Sequence, residues 1–393
     1  MKSKRFSEPN GKLRLPRGVL SVICVLPAVL TLSFYLLKSN RVAVSWFETN
    51  ISSSIRGFLG LCSSIYPFSL LEVLCAAAIV WLFYFLIRTI MVTVRGHGKI
   101  KILLKRFLAV AVVFLYIWGL FCWLWNVGYF TPGFAETNGL VSDGISSDKL
   151  IAVTRKFADE ANELAPRVMR DSDGHITEDR RKILEASTDV YNNISLEFSC
   201  LSGKLYKPKS MLFSNLMSRT GYTGIYFALT GESNINTRAP VSYMPSTVAH
   251  ELAHQLGVFA EDEANFVGIA ACVTSSNVVY EYSGWFSGLS YLLNALNGVD
   301  SEAWAGIYEG LSFEVLQDFE DSYIYWQSQK TVNTGIWFLD NALTGLTDVF
   351  SNTVDAVYDS HLKSNDQELG LKSYGACVNL LVEYFATDIM LNQ

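Results

Sequence analysis

Charged residues, paired cysteines and nucleotide-binding glycine motifs are scarce or missing in this chain. Only 17% of the 393 residues are charged and half are hydrophobic, which is apolar for a soluble protein. The seven cysteines are scattered without a CxxC pair, so a disulfide framework is not indicated. The sequence has no P-loop, no dinucleotide-binding fingerprint and no internal repeat. These gaps argue against a nucleotide-binding enzyme and against a disulfide-stabilised scaffold.

Long apolar runs are confined to the first third of the chain. Residues 18–37, 68–87 and 107–127 contain a single charged side chain, that of Glu72. Each run is long enough to cross a hydrocarbon core about 30 Å thick. The sequence therefore predicts a membrane domain, residues 1–132, with three transmembrane helices, and it predicts membrane lipid as a partner.

The basic residues that flank these runs predict the orientation. Six Lys and Arg precede the first run, and six more lie between the second and third runs without any acidic residue. Because cytoplasmic loops carry the excess of Lys and Arg, the N-terminus is expected in the cytoplasm. Residues 133–393 are then expected outside the cytoplasm, in a multi-pass protein of the cell membrane. The opposite topology would place both basic clusters outside.

Residues 133–393 form a second region of different composition. This region carries 16 Lys and Arg against 34 Asp and Glu, a balance that repels phosphate backbones and argues against nucleic acid as a partner. Apolar residues at helical spacing predict a mostly helical domain with a sizeable core. Residues 224–230 are typical of a short β-strand. That strand is expected either at the rim of a site or in an ordinary core.

Among only five histidines, two stand four residues apart in the sequence His-Glu-Leu-Ala-His, residues 250–254. On a helix, His250 and His254 project to one face and can bind one Zn²⁺. Glu251 then lies beside the metal ion, where it can take a proton from a zinc-bound water. Gly257 is suited to end this helix and to bring a second helix back over the metal ion.

A catalytic zinc ion has three protein ligands and one open position, so a third ligand is needed. Glu261 and Glu263 are the nearest candidates in the sequence. Glu261 is preferred because it shares one face of the second helix with Asn265, whereas Glu263 faces elsewhere. Asn265 can accept the free N–H of a zinc-bound histidine. His361 is, by its chemistry, a candidate for stabilising an oxyanion.

The zinc motif and several short segments together resemble a known family. The resemblance is carried by residues 232–266, which include the histidine motif, and by residues 282–284 and 358–375. These segments resemble an uncharacterised bacterial membrane family that is catalogued as a domain of unknown function and is similar to gluzincin metallopeptidases. With the three apolar runs, the resemblance extends over nearly the whole chain.

This resemblance implies a membrane-anchored zinc peptidase without a known substrate. In gluzincins the third ligand opens a Glu-x-x-Ala-Asp pattern, and Glu261 to Ala264 fit it, while Asn265 stands in place of the aspartate. The resemblance also implies Tyr282 and Tyr374 as candidate oxyanion stabilisers. The expected fold is mainly α, with three transmembrane helices followed by a mostly helical, zincin-like extracytoplasmic domain with a small β-sheet.

Three functions are to be weighed for a chain with these sequence features. The leading hypothesis is a membrane-anchored metallopeptidase with one Zn²⁺ that hydrolyses a peptide or protein substrate outside the cytoplasm. The alternative is a non-enzymatic membrane sensor or assembly protein with a structural or vestigial zinc site, although a purely structural site has no use for Glu251 as a base. Intramembrane proteolysis is disfavoured, because charged and polar residues flank the zinc helix on both sides.

Overall fold

The computed structural model describes residues 17–95, 98–140, 145–330 and 377–391, together with Asn352 and Ala356. The described chain is mainly helical and has one small sheet, as expected from the sequence. The helices are α1 (Arg17–Leu37), α2 (Arg41–Phe47), α3 (Ser53–Ser64), α4 (Leu70–Arg95), α5 (Lys99–Leu124), α6 (Phe134–Asn138), α7 (Ser147–Leu164), α8 (Arg180–Ala186), α9 (Ile194–Glu197), α10 (Ser214–Arg219), α11 (Met244–Gln255), α12 (Glu261–Val273), α13 (Val278–Val299), α14 (Ser301–Glu309), α15 (Phe313–Gln329) and α16 (Cys377–Leu391).

Two of the described helices, not the expected three, are long and apolar enough to cross a membrane. They are α4 and α5, with mean hydropathies of 2.5 and 2.4. In α1, the apolar helix found among the described residues runs only from Val22 to Leu37, which is shorter than the roughly 20 residues that a span needs. Helix α1 packs along α5, where the indole N–H of Trp123 donates to the Leu30 carbonyl over 2.9 Å.

The connection between α1 and α4 is helical. Helix α2 continues through a π-helical turn, Glu48–Ser52, into α3. In this connection Arg56 forms a buried ion pair with Glu48 at 2.5 Å and donates to the Leu124 carbonyl at 3.0 Å. Because a buried charge needs such partners, this segment is tied to the end of α5 and is not a plain loop.

The small sheet has three strands, β1 (Lys209–Ser210), β2 (Gly224–Phe227) and β3 (Glu232–Ile235), in the order β1-β3-β2. Strand β3 is buried and pairs in parallel with β1 and antiparallel with β2. Gly231, with a φ of +66°, makes the turn between β2 and β3. A Cβ there would lie 2.5 Å from the Gly60 nitrogen, so the β2–β3 turn packs directly on α3.

The main core lies between α7, α11, α12, α13 and α16. Phe157 of α7 is fully buried and packs edge-on against Trp285 of α13 and Phe385 of α16. The other apolar residues at helical spacing in α7 are also buried: Leu150, Val153, Ala161 and Leu164. This layer of helices holds α11 and α12 side by side, and the candidate site lies between them.

Candidate metal centre

The His-Glu-Leu-Ala-His motif lies in α11. Pro245 occupies the first turn, where a missing N–H costs nothing, and the helix ends at Gln255. Two residues later, Gly257 has a φ of +89°, which lets the chain reverse direction. Within α11, His250 and His254 point to the same side, with ring centroids 4.7 Å apart. Local sequence therefore places both imidazoles on one face, as the four-residue spacing predicts.

Glu261, the first residue of α12, completes a three-residue cluster with these histidines. Its Oε2 lies 3.2 Å from Nε2 of His250 and 3.7 Å from Nε2 of His254. One potential ligand atom from each of the three residues falls within a set no more than 4.8 Å apart. Ligands about 2.0–2.2 Å from a tetrahedral Zn²⁺ are roughly 3.4 Å from one another. The two distances from Glu261 are close to this value, so the three residues could hold one metal ion such as zinc.

A glycine allows α12 to pack closely on α11. Gly268 faces α11, and a Cβ at this position would lie 2.8 Å from the backbone nitrogen of His250. That separation is too short for any side chain, so the two helices pack in direct backbone contact here. The close packing fixes the distance between His250 and the start of α12, and therefore the position of Glu261.

The two histidines differ in what holds their second ring nitrogen. Nδ1 of His254 lies 2.7 Å from the Val258 carbonyl, which fixes the ring and leaves Nε2 facing Glu261. Nδ1 of His250 is buried and has no hydrogen-bond partner within the described residues. Asn265 was expected to orient a histidine, but its Oδ1 instead accepts from the Tyr291 hydroxyl at 3.4 Å. The orienting group found here is a backbone carbonyl.

Glu251 lies between α11 and the edge strand β2. Its carboxylate accepts a hydrogen bond from the backbone of Tyr226, and its Oε2 is buried without a partner in the described chain. A Cβ on Gly224 would lie 2.5 Å from Glu251 Oε1, so this glycine leaves room for the carboxylate. Burial raises the pKa of Glu251 above its ordinary value, although the two histidines oppose the shift. An unpartnered carboxylate oxygen beside the cluster is suited to accept a proton.

The cluster favours a positive charge next to Glu261. Burial lowers the pKa of His254, but the charge of Glu261 more than offsets this and raises that pKa to about 9. Burial alone would raise the pKa of Glu261, but the two histidines lower it well below its ordinary value. Such a site holds either a proton or a metal ion beside the carboxylate, and a metal ion displaces the proton.

A comparison with protein families identifies the family of this chain. The model of the family described as a protein of unknown function (DUF3810) matches residues 47–382. The chain belongs to the DUF3810 family. No curated protein and no solved structure matches the chain. The matched region contains α4 and α5 as well as α11 and Glu261, so the family unit joins the apolar helices to the candidate site.

Glu263 is turned away from the cluster in this DUF3810 member. Its two carboxylate oxygens accept from the backbone N–H groups of Phe134 and Ala135, at 2.8 and 2.9 Å. These groups lie at the N-terminus of α6, where a carboxylate satisfies otherwise unpaired donors. A Cβ on Gly133 would lie 2.4 Å from Glu263 Oε1, so the fit is close. The structure therefore brings Glu261, and not Glu263, to the histidines.

Of the three expected oxyanion stabilisers, Tyr282 is the one that the structure describes. The Tyr282 hydroxyl forms a short hydrogen bond to the Asp318 carboxylate, which is also paired with Arg170 at 2.7 Å. Tyr282 is buried, and the hydrogen bond described for its hydroxyl goes to Asp318. This placement corrects the role expected for Tyr282. Tyr374 and His361 lie outside the described residues.

Aromatic residues pack near the two histidines of α11. They were not identified as part of the site from the sequence. The Trp125 ring packs edge-on against His254, with centroids 5.3 Å apart, and contacts Phe259 at 5.1 Å. Tyr129 is partly buried near Glu261, and burial together with the charge of Glu261 raises the pKa of its hydroxyl. The only sequence signal was the aromatic composition of this segment, which is typical of a membrane interface. Its contact with a histidine more than 120 positions later is a tertiary feature.

Proposed function

We propose that this protein is a membrane-anchored, zinc-dependent metallopeptidase with a zincin-like site. The observation that carries the proposal is the cluster of His250, His254 and Glu261 within 4.8 Å, with the buried carboxylate of Glu251 beside it. Three ligands leave one position open, and a separate carboxylate is what a hydrolytic site adds to them. Oε2 of Glu251 and Nδ1 of His250 are buried without a hydrogen-bond partner in the described chain. Because buried polar atoms are normally bonded, this supports a site in which a bound metal ion and its water complete the missing contacts.

In this proposal the chain supplies the ligands and the proton transfer. Zinc held by His250, His254 and Glu261 would supply a polarised water with a pKa of about 7. Glu251 would accept a proton from the attacking water, whose oxygen would add to the carbonyl carbon of a peptide bond. The C–N bond then breaks, and Glu251 returns the proton to the departing amine nitrogen. Hydrolysis consumes one water and needs no further reactant.

The same proposal places the site outside the cytoplasm. Basic residues cluster at the connection between α4 and α5: Arg88, Arg95, Lys99, Lys101, Lys105 and Arg106. Positively charged connections face the cytoplasm. The opposite end of α5, which leads through Trp125 into the site, then faces outward. This orientation follows from α4 and α5 alone, the two helices of the described residues that are apolar enough to span a membrane.

A structural zinc site in a membrane sensor or assembly protein is the second candidate. The observation in its favour is burial, because Glu251, His254 and Glu261 are 5%, 4% and 3% exposed. Structural zinc sites are closed, whereas catalytic ones keep an open position. Glu251 separates the two candidates, since a structural site has no use for a general base next to its ligands.

The test compares three substitutions in the full-length protein, purified in detergent or in lipid nanodiscs. Glu251→Gln should retain one zinc and lose roughly 10²–10⁴-fold in peptide hydrolysis, the usual contribution of a general base. Glu261→Gln should lose zinc, because it removes a ligand. Glu263→Gln is the matched control, two residues away on the same helix, and should retain both zinc and hydrolysis.

Zinc content is measured by elemental analysis, and hydrolysis is measured with a randomised peptide pool. Zinc retained by Glu261→Gln and lost by Glu263→Gln would overturn the assignment of the third ligand. A zinc-loaded wild type that cleaves no peptide, combined with an unchanged cellular phenotype for Glu251→Gln, would favour the sensor.

A further inference from the structure

The length of α5 sets the level of the candidate site in a membrane. Residues 107–124 carry no charge and directly follow Lys105 and Arg106. At about 1.5 Å per residue this uncharged stretch is roughly 27 Å long, close to the hydrocarbon thickness of about 30 Å. With its basic residues at the cytoplasmic headgroups, α5 reaches the outer edge of the hydrocarbon near Leu124.

The zinc helix is attached to that outer end of α5. Trp125 is the next residue, and its ring contacts both His254 and Phe259. Three residues further on, Gly128 packs so closely on Phe259 that a Cβ would lie 2.3 Å from the ring. The headgroup layer on each side of a bilayer is about 5–8 Å deep. One aromatic ring therefore separates the end of the hydrocarbon from the metal-ligand cluster.

The outer end of α4 marks the same level independently. The buried carboxylate of Glu72, in the first turn of α4, accepts from the backbone N–H groups of Leu212 and Phe213, at 3.0 and 2.7 Å. Leu212 is 83% exposed and Phe213 is 56% exposed. An exposed apolar pair held at the first turn of a lipid-facing helix is suited to insert among lipids.

We infer that the candidate site works at the level of the lipid headgroups and that its substrate is a polypeptide segment held there, the juxtamembrane part of a membrane-anchored protein. The inference about substrate rests on the proposed peptidase function, whereas the level of the site does not. A peptide bond next to a membrane anchor is within reach of the cluster, since the cluster adjoins the end of a span. A bond far above the bilayer reaches it only through a flexible chain.

The level of the site is tested first, without any assay of hydrolysis. A photoreactive phenylalanine analogue replaces Phe213 in full-length protein reconstituted into phosphatidylcholine vesicles. Phe313 is the matched control, because it is 66% exposed and its segment is bonded to Asn162 of α7 and not to a span. Lipid labelling at position 213 should exceed that at position 313 at least about tenfold, as expected for a side chain in the interface. Equal labelling at the two positions would overturn the inferred level.

The substrate class is tested in the same vesicles with a randomised, quenched-fluorescent peptide pool. The peptide pool is presented in three forms: free in solution, on a lipid anchor with a short spacer of about 2 residues, and on a lipid anchor with a long spacer of about 25 residues. When fully extended, the two spacers reach roughly 7 Å and 80 Å. Glu251→Gln measures background cleavage.

A site at the headgroups should cleave the short-spacer pool at least as fast as the long-spacer pool, and roughly 10²-fold faster than the free pool, because tethering raises the effective concentration. Cleavage of the long-spacer pool alone would overturn the inference, because the site would then stand away from the bilayer. If no pool is cleaved, the proposed peptidase function fails, and the labelling result still decides the level of the site.

Discussion

At the scale of single residues, identical side chains take different roles through their direction on a helix. Glu261 and Glu263 are two residues apart on α12, which places them about 200° apart around its axis. Glu261 meets the two histidines, whereas Glu263 binds the backbone N–H groups of α6. Both carboxylates are buried, and each is neutralised or bonded by a different partner, as buried acids require.

Tyr282 is expected to contribute to stability and not to the site. Its hydroxyl bonds to the carboxylate of Asp318, and a hydrogen bond to a charged group contributes about 1.5–3 kcal/mol. Tyr282→Phe should therefore lower the free energy of unfolding by about that amount. Zinc content and peptide hydrolysis should stay at wild-type values. Loss of zinc or of hydrolysis at unchanged stability would restore a role for Tyr282 in the site.

At the scale of secondary-structure elements, backbone contact between α11 and α12 positions the ligands. Gly268 permits this contact, because there is no space for a Cβ beside the backbone of His250. The packing of the two helices therefore determines the geometry of the cluster as much as the histidine motif does. A side chain at Gly268 would push α12 away and move Glu261 with it.

Gly268→Ala should lower the free energy of unfolding by about 1–3 kcal/mol, the usual cost of overpacking a core. It should also weaken zinc binding, because Glu261 is displaced from the histidines. The matched control is Gly298→Ala in α13, where no atom lies within 4 Å of the added Cβ. That control should be neutral or stabilising by up to about 1 kcal/mol, since alanine favours a helix. Thermal unfolding and a competitive zinc titration measure the two effects.

The sheet is joined to α3 and α4 through a buried ion pair. Lys209 of β1 lies 2.9 Å from Glu232 of β3 and donates to the Ser63 carbonyl at 2.7 Å. Glu232 also accepts from the backbone N–H of Leu71, at the start of α4. These bonds link α3, α4 and the sheet through two side chains that are almost inaccessible to water.

Lys209→Met should destabilise the protein by about 3–5 kcal/mol, because it leaves the buried carboxylate of Glu232 without its cation. Adding Glu232→Gln should recover part of the loss, since the unpaired charge is then removed. The control is Arg41→Met, which breaks the exposed ion pair with Glu136 and should leave the midpoint of thermal unfolding unchanged. If Lys209→Met lowers the stability as little as Arg41→Met does, the pair of Lys209 and Glu232 does not hold the sheet.

At the scale of the whole molecule, the candidate site belongs to both halves of the chain. The Trp125 ring covers His254, and Arg56 lies over the Phe259 ring at 5.0 Å. Phe259 directly follows Val258, whose carbonyl orients His254. The DUF3810 match spans both halves as well. Residues before 133 therefore supply part of the environment that holds the zinc helix.

A fragment of residues 133–393 should bind zinc at least about 10–100-fold more weakly than the full chain, the range known for losing groups behind metal ligands. The cause is the loss of Trp125 and Arg56 and the exposure of the apolar surfaces they cover. Co-expression of residues 1–132 should restore binding by reassembling these contacts. Competitive zinc titration of the fragment, the reassembled pair and the full chain measures this. Full-strength binding by the fragment alone would show that the membrane-side half is dispensable for the site.

Much of the local structure was predictable from the sequence. Helix α11 ends just before Gly257, α12 begins at Glu261, and the strand expected at residues 224–230 is present as the shorter β2, residues 224–227. These features depend on periodicity, on glycine and on residues close in the chain. Asn265 was expected to orient a histidine, whereas the hydrogen bond described for its Oδ1 comes from Tyr291, and the Val258 carbonyl is the partner of His254. Tyr282 was misplaced because its partners, Arg170 and Asp318, are more than 35 residues away on either side.

By itself, the sequence determined that the chain is mainly helical, that it contains apolar helices able to cross a membrane, and that two histidines and Glu251 share one helix. Such properties follow from hydrophobicity and from the 3.6-residue period of a helix. Only the tertiary structure decided that Glu261 meets the histidines, that Glu263 binds α6 instead, and that Trp125 at the end of α5 covers His254. These contacts join residues distant in sequence, and their geometry is fixed by close packing and by the need of buried charges for partners, which no local pattern records.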